Sequence, residues 1–377
     1  MEYEAIVVGA GYFGCSAAYH LAKAGIKTLL VESGTVGSGA SGANFGNVQV
    51  QDANLGPSLH LTLDGIRKMQ GMEAELERPI GYRPQKSLIG AEHEGHLPEL
   101  ESLYRGKKEA GLNIRWLEGP ALWETEPNLS PGSIVAATYY EQGIVYPFHY
   151  LYALVDCGRE LGLTVLENTP VERLYMEGGA CRGIVLKNSR LLRCEQVVMA
   201  AGAKTHELCK TAGLDVPVHA VKAEGLATEP LKPFMNTYYS SAAFFAEAHS
   251  QNEAATSLSI GQSHYGNMLI AETTKPPHWV DEARMDCTSS EHCRNIREKL
   301  LAFFPALQDI QIMRSWVTLS PYKDNCEPVL GRCSVPGLIL ASGFKSAVVM
   351  SGVAGEIVAG LVKNESCPYD LRPYALP

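Results

Sequence analysis

The stretch "AIVVGAGYFGCSAAYHLAKAGIKTLLVES", residues 5–33, decides the fold. Four apolar residues, Ala5 to Val8, run straight into Gly9-Ala10-Gly11-Tyr12-Phe13-Gly14. Helix-forming residues occupy Cys15 to Ala24, Gly25 ends that helix, and Thr28 to Val31 reads as a second strand. Gly9 permits the tight turn, Gly11 lets backbone approach a pyrophosphate, and Gly14 lets the helix pack close to the strand. The helix N-terminus offers N–H groups and a positive dipole end to phosphates. Glu32 stands eighteen residues after Gly14 at the end of the second strand. A carboxylate there accepts hydrogen bonds from ribose hydroxyls and repels a 2′-phosphate. The pattern predicts a site for FAD or NAD and disfavours NADP.

The segment after Glu32 separates FAD from NAD. "SGTVGSGASGANFGNVQVQ", residues 33–51, is rich in Gly, Ser and Ala and includes Ser33, Ser41, Asn44, Phe45, Gly46 and Asn47. An NAD domain of the ordinary kind continues with another helix and strand soon after the acid. A small-residue loop instead lets backbone lie against a flat ring system and offers it N–H donors.

The bulk composition sets the frame. A chain of 377 residues is long enough for two domains. Its hydrophobic fraction of 46% and lack of low-complexity tracts read as globular. No apolar run approaches a transmembrane span, and no export signal precedes the first strand, so the expected compartment is the cytoplasm. A net charge of −9 without a Lys/Arg cluster argues against nucleic acid. Ten cysteines include no C-x-x-C pair. The closest spacings, Cys287/Cys293 and Cys326/Cys333, match neither zinc nor iron–sulfur patterns. No metal is expected, and the cysteines read as free thiols.

Several motifs, taken in order, resemble the D-amino-acid oxidase family of FAD-dependent oxidoreductases. They are "GAGYFGCSAAYHLAKAG", "VGSGASGANFGN", "WETEPNLSP" (123–131), "EQGIVYPFHYLYAL" (141–154), "NTPVERL" (168–174), "VVMAAGAKTHEL" (197–208), "RSWVTLSPYKDNCEPVLG" (314–331) and "GLILASGFKSAVVMSGVAGEIVAGLV" (337–362). The resemblance spans the chain, and "SGANFGNVQVQ" is most similar to the flavin subunits of opine, hydroxyproline and cyanide-forming dehydrogenases. It implies an α/β (α+β) fold: a discontinuous Rossmann-like FAD-binding domain plus a substrate domain with a mainly antiparallel sheet. The expected FAD-binding segments are 1–80, 145–214 and 311–377; the substrate domain takes 81–144 and 215–310. Along the chain, "FHYLYALVDCGRELG" and "EHCRNIREKLLAFFPAL" read as amphipathic helices. Residues 236–274 alternate as antiparallel strands with turn signals at Asn252 and at Tyr265-Gly266-Asn267.

The resemblance also implies the site. Noncovalent FAD would be held by the opening motif, by Ser33 and Ser41 to Asn47, by Val171 at the adenine side, and by Ala201 and Gly202. Gly331 and Gly343 to Val348 (Lys345, Ser346 and Ala347 among them) complete the set. Family members of this kind oxidise a C–H bond next to an amine nitrogen, the flavin taking the hydride and the imine hydrolysing in water. The expected substrate is a D-amino acid, an N-substituted glycine, hydroxyproline or an opine. Electrons pass to a partner subunit or acceptor carrying iron–sulfur or a second flavin.

Two departures stand out. Ser320 occupies the place where glycine oxidase-like members carry a carboxylate-clamping Arg, and a serine cannot form a bidentate pair. Arg83, Arg284 and Arg314 are replacement candidates. His264, Tyr265, Tyr139, Tyr140 and Tyr239 are candidate pocket residues, and Lys345, His264, Tyr265 and Ser320 are the catalytic candidates. Second, Met268 to Glu272 lacks the lysine that helps O2 react in sarcosine-type oxidases, which favours a dehydrogenase. A flavin dehydrogenase of a 2-hydroxy acid or polyol phosphate, and a non-catalytic subunit using the same fold, remain as alternatives.

Overall fold

The computed structural model describes residues 2–243, 257–272, 288 and 290–376. The chain opens with β1 (Tyr3–Val8), α1 (Tyr12–Lys23), β2 (Thr28–Val31), a two-residue β3 (Asn47–Val48) and α2 (Leu59–Leu76). It continues through β4 (Arg83–Ala91), α3 (Leu97–Glu109), β5 (Arg115–Glu118), α4 (Pro120–Thr125) and β6 (Ala136–Ile144). Then come α5 (Pro147–Glu160), β7 (Thr164–Leu166), β8 (Val171–Glu177), β9 (Ala180–Leu186), β10 (Leu191–Met199) and α6 (Thr205–Lys210). The remainder is β11 (His219–Pro230), β12 (Tyr238–Ser241), β13 (Ser259–Gln262), β14 (Asn267–Glu272), α7 (Ser290–Phe303), β15 (Ile312–Tyr322), β16 (Val329–Arg332), β17 (Leu338–Ser342) and α8 (Ala347–Val362).

Two compact units result. The first comprises Met1–Tyr82, Val145–Ala220 and Ser320–Pro377; the second, Arg83–Ile144 and Val221–Leu319. The sequence reading puts the crossings after residues 80, 144, 214 and 310, whereas the structure puts them after 82, 144, 220 and 319. Val216 and Val218 fill an apolar cluster of the first unit, so the chain stays there past 214. β15 lies beside β11 in the second unit's sheet, so the chain returns only at Ser320.

In the first unit the strand order is β16-β17-β10-β1-β2-β7. β17, β10, β1, β2 and β7 run parallel, and β16 is antiparallel to β17. The central strands read as unbroken apolar runs because both faces are covered. Ala5 and Val7 point into the core shared with α1, α2, α5 and α8. Ile6 and Val8 point into the opposite core, with β8, β9 and α6. α8 is apolar on nearly every side, with twelve of its residues buried, and packs against α1 and α2.

One charged network is set into that helical layer. The Lys68 ammonium lies 2.5 Å from Glu75 and 2.6 Å from Glu356, and Lys23 reaches Glu75 at 2.9 Å. His20, buried beside them, is held neutral chiefly by desolvation. Burial raises the Glu75 pKa, but hydrogen bonds from Lys68 and Lys23 more than offset it and bring it down to about 2.

In the second unit the order is β15-β11-β14-β13-β12-β4-β6, with β5 added on β6. The registered pairs are antiparallel except β12 with β4. α7 covers one face, where Leu88, Leu226, Tyr239, Ile260 and Ile270 meet Ile296, Leu300, Phe303 and Phe304. Register then sorts the two Tyr-Tyr dipeptides. Tyr139 and Tyr239 flank Leu88 and face α7, so Tyr140 and Tyr238, which flank Ser87, face the other way. Tyr265 sits at the tip of the β13–β14 hairpin, and the expected turn at Asn252 lies outside the described residues. Among the described residues, no helix is long and apolar enough to cross a membrane.

The Glu75 network predicts acid sensitivity. A carboxylate whose folded pKa lies below its unfolded value of roughly 4.3 contributes stability above that value and loses it as pH falls toward about 2. Glu75→Gln removes this component. Melts recorded from pH 6 to pH 2 should therefore converge for variant and parent at the acid end; parallel curves would mean Glu75 carries no such linkage.

Candidate functional site

The geometry of the opening turn is set by contacts that leave no room for side chains. Gly9 has φ +101°, and a Cβ on it would lie 2.4 Å from the Ala200 carbonyl oxygen. A Cβ on Gly14 would lie 1.7 Å from the carbonyl oxygen of Gly9 itself. α1 is therefore drawn down onto the end of β1, with Gly11 at its N-cap and no side chain bonded there. Its first N–H, from Tyr12, is met by Ser41 Oγ at 3.0 Å.

Glu32 closes the same turn. One carboxylate oxygen accepts from the Ala10 N–H at 2.7 Å, and the other from the Gly34 N–H at 2.8 Å and the Ser33 hydroxyl at 2.9 Å. The acid thus abuts the glycine turn. The strand leading to Val171 arrives alongside: Thr169 N–H donates to the Glu32 carbonyl at 2.8 Å. Ala201 and Gly202 follow β10 directly under Gly9. Gly202 is bonded through its carbonyl to Ser342, and Phe344 stacks on Phe13 with centroids 3.6 Å apart. The structure therefore brings Gly9 to Gly14, Glu32, Ser33, Ser41, Val171, Ala201, Gly202 and Gly343 together. Gly331 does not join them. It lies on β16, beyond β17 and β10 from β1, opposite Leu340.

The small-residue loop is held mainly by itself. Gly37 and Gly42 sit under the Phe148 ring, and the Asn44 amide donates to Ser41 O at 2.6 Å and to Ala40 O and Tyr12 Oη at 3.2 Å. Gly46 donates to Asn44 Oδ1 at 2.7 Å, and a Cβ on it would lie 2.1 Å from Val145 O. Asn44 and Gly46 are thus required by the loop's own path. Asn47 differs: it is buried, and its Oδ1 has no hydrogen-bond partner among the described residues.

Beyond the loop a polar belt joins residues 49–58 to 322–327 and to Lys345. Ser58 N–H donates to the buried Glu327 carboxylate at 3.1 Å, and the half-buried Lys345 donates to Asn54 Oδ1 at 3.3 Å. Ser320 and Tyr322 are two apart on β15 and so share a face. Burial holds the Tyr322 phenol protonated far above neutral pH. Tyr322, Asn54 and Glu327 are absent from the sequence-derived candidates; for Tyr322 the spacing from Ser320 was the available signal.

The remaining candidates fall apart in the second unit. Tyr239 is fully buried against Phe303 and Phe304, and Tyr139 is buried with the Arg115 guanidinium 4.2 Å from its ring centre. Both are core residues. His264 and the exposed Tyr265 occupy a hairpin tip. Tyr140 and Tyr238 lie on the sheet face away from α7. Arg83 is exposed and donates to the Gln262 carbonyl at 3.3 Å, Arg314 is exposed, and Arg284 lies outside the described residues.

A glycine turn bared for a diphosphate, a helix terminus above it and an acid at the second strand define a dinucleotide-binding oxidoreductase. The residues fit FAD: at Gly9 and Gly11 the only space a Cβ could fill is already taken by Ala200 O and Ser41 Oγ, which leaves bare backbone toward the turn. Residues 4–361 match the family model for DAO, the FAD dependent oxidoreductases, and the chain belongs to that family. It is 26% identical to glycine oxidase of Bacillus licheniformis over 371 residues, covering 96% of this chain and 93% of that one. It is also 26% identical to hydrogen cyanide synthase subunit HcnC of Pseudomonas protegens, over 88% of this chain and 73% of that one. The crystal structure of glycine oxidase from Geobacillus kaustophilus superposes with a TM-score of 0.87 at 25% identity, covering 100% of this chain and 98% of that one. The protein is an FAD-dependent oxidoreductase.

Gly14→Ala forces backbone apart and should cost about 1–3 kcal/mol, read as a lower melting midpoint with or without FAD. Glu32→Gln removes the charge and replaces one acceptor of the Ala10 or Gly34 N–H by an NH2 group, and should weaken FAD about tenfold in a fluorescence titration. Unchanged FAD affinity in Glu32→Gln would remove the acid from the ribose site.

Proposed function

We propose that the protein oxidises the C–N bond of an amino acid or secondary amine, and that it works as a dehydrogenase passing electrons to a partner rather than to O2. The observation that carries C–N oxidation is the match to glycine oxidase over 96% of the chain; the dehydrogenase half rests on the absence of a lysine from Met268 to Glu272. Bound FAD supplies the two-electron acceptor that receives the substrate's hydride.

The chain's own residues do the rest. The first unit holds the cofactor and the second carries the substrate-binding sheet. Tyr322, kept protonated by burial, does not serve as a base near neutral pH. Lys345 brings positive charge beside residues 343–348, at the N-terminal end of α8. Tyr140 and Tyr238 offer phenols on the sheet face away from α7. Ser320 stands where glycine oxidase-like members carry an arginine and cannot form its bidentate pair, so a substrate carboxylate is held by other groups. The amine enters neutral; its lone pair forms the C=N bond as the hydride leaves, and water then releases the carbonyl product and the amine. Cys326 lies several residues beyond the place where sarcosine oxidases attach flavin, so FAD is held noncovalently. The nine described cysteines, all free thiols, support a reducing compartment such as the cytoplasm.

The test is an anaerobic screen monitored by flavin absorbance. Proline derivatives, opines, N-methyl amino acids or D-amino acids should bleach the bound flavin, and 2-hydroxy acids or glycerol phosphate should not. The reverse pattern refutes C–N oxidation, and no bleaching with any of them favours a non-catalytic subunit. Acid precipitation should leave the flavin in solution, and turnover under air should yield little peroxide; a yellow pellet or rapid peroxide release contradicts the corresponding claim.

A further inference from the structure

Asn47 is 9% exposed, and its side-chain oxygen has no hydrogen-bond partner among the described residues. A buried acceptor left unpaired is unfavourable, and the described residues supply no donor for it, so a donor from a bound group fits there. The contrast with Asn44 three residues earlier is direct, since that amide makes five hydrogen bonds within the first unit. Asn47 also lies on the short β3, against which α8 packs, and Lys345 lies just before the start of that helix.

We propose that the Asn47 amide reads the pyrimidine edge of the flavin. The oxidised isoalloxazine has one ring N–H, at N3, between two carbonyl oxygens; its other polar ring atoms are acceptors. An amide complements that edge as it would a uracil, with Oδ1 accepting from N3–H and Nδ2 donating to the neighbouring carbonyl oxygen. The pairing holds whichever way the amide is turned, because one of its two polar atoms always needs the partner that the ring supplies. The contact orients the ring and holds the N3 proton on.

Asn47→Leu and Asn47→Asp test this without reference to turnover. In the leucine variant the apoprotein should melt at or above the parent's temperature, because a buried unpaired acceptor is gone. FAD should bind about tenfold more weakly. In flavin-loaded protein titrated upward in pH, absorbance should show N3 losing its proton at higher pH in Asn47→Asp, whose carboxylate accepts from N3–H and repels the ring anion. An apoprotein destabilised by leucine with FAD binding unchanged would make Asn47 structural and overturn the proposal. Weaker FAD binding with an unmoved N3 titration would place the contact on a ribityl hydroxyl and overturn it too. If the leucine variant takes up no flavin, the aspartate variant decides, and an unmoved N3 titration there sinks the idea.

Discussion

The contact on which the site depends is between the carbonyl of Gly9 and the backbone of Gly14. It is close enough that a single added carbon would lie 1.7 Å from the oxygen. That approach pulls the start of α1 onto the end of β1. It sets Ala10 N–H within 2.7 Å of Glu32 and turns the helix N-terminus, bare of any side-chain cap of its own, toward Ser41. Diphosphate binding needs this bareness, because the helix dipole and free N–H groups act only where nothing else fills the space. The rest of the first unit supports the arrangement: α8 and α5 buttress α1, and the apolar strands bury both faces of the sheet on which the turn is carried.

The loop after Glu32 shows how chemistry and structure divide among similar residues. Asn44 and Gly46 look like cofactor ligands by type, yet each is fixed by the loop's path past Ala40, Ser41 and Val145. Asn47 keeps an acceptor unpaired in a buried place. Glu327 and Lys345 belong to a polar belt that ties residues 54–58 to the returning segment. The charge of Lys345 is therefore held in position by neighbours, which is what an electrostatic role toward a reacting ring requires.

Much of this was legible in the sequence, for a local reason. The βαβ unit, its glycines and Glu32 are a contiguous pattern whose physical demands act over a short span of chain, and the helices at 147–160 and 290–303 follow from their amphipathic spacing. The unreadable parts depend on distant partners. Residues 215–220 stay with the first unit because Val216 and Val218 find an apolar cluster there, and β15 stays with the second because β11 lies beside it. Each Tyr-Tyr pair announces one phenol per sheet face, but only the position of α7 shows that Tyr139 and Tyr239 are the buried ones. Gly331 reads as a cofactor glycine by motif and is an edge-strand residue with φ +133°. Tyr265 reads as a pocket phenol by type and lies at a hairpin tip, 60% exposed.

The most direct measurement is a crystal structure of the protein saturated with FAD. The account predicts the diphosphate lying over Gly9 to Gly14 at the start of α1, with the adenosine ribose hydroxyls on Glu32. Density for FAD anywhere else, or a crevice that stays empty at saturating FAD and fills with a nicotinamide dinucleotide instead, would contradict it.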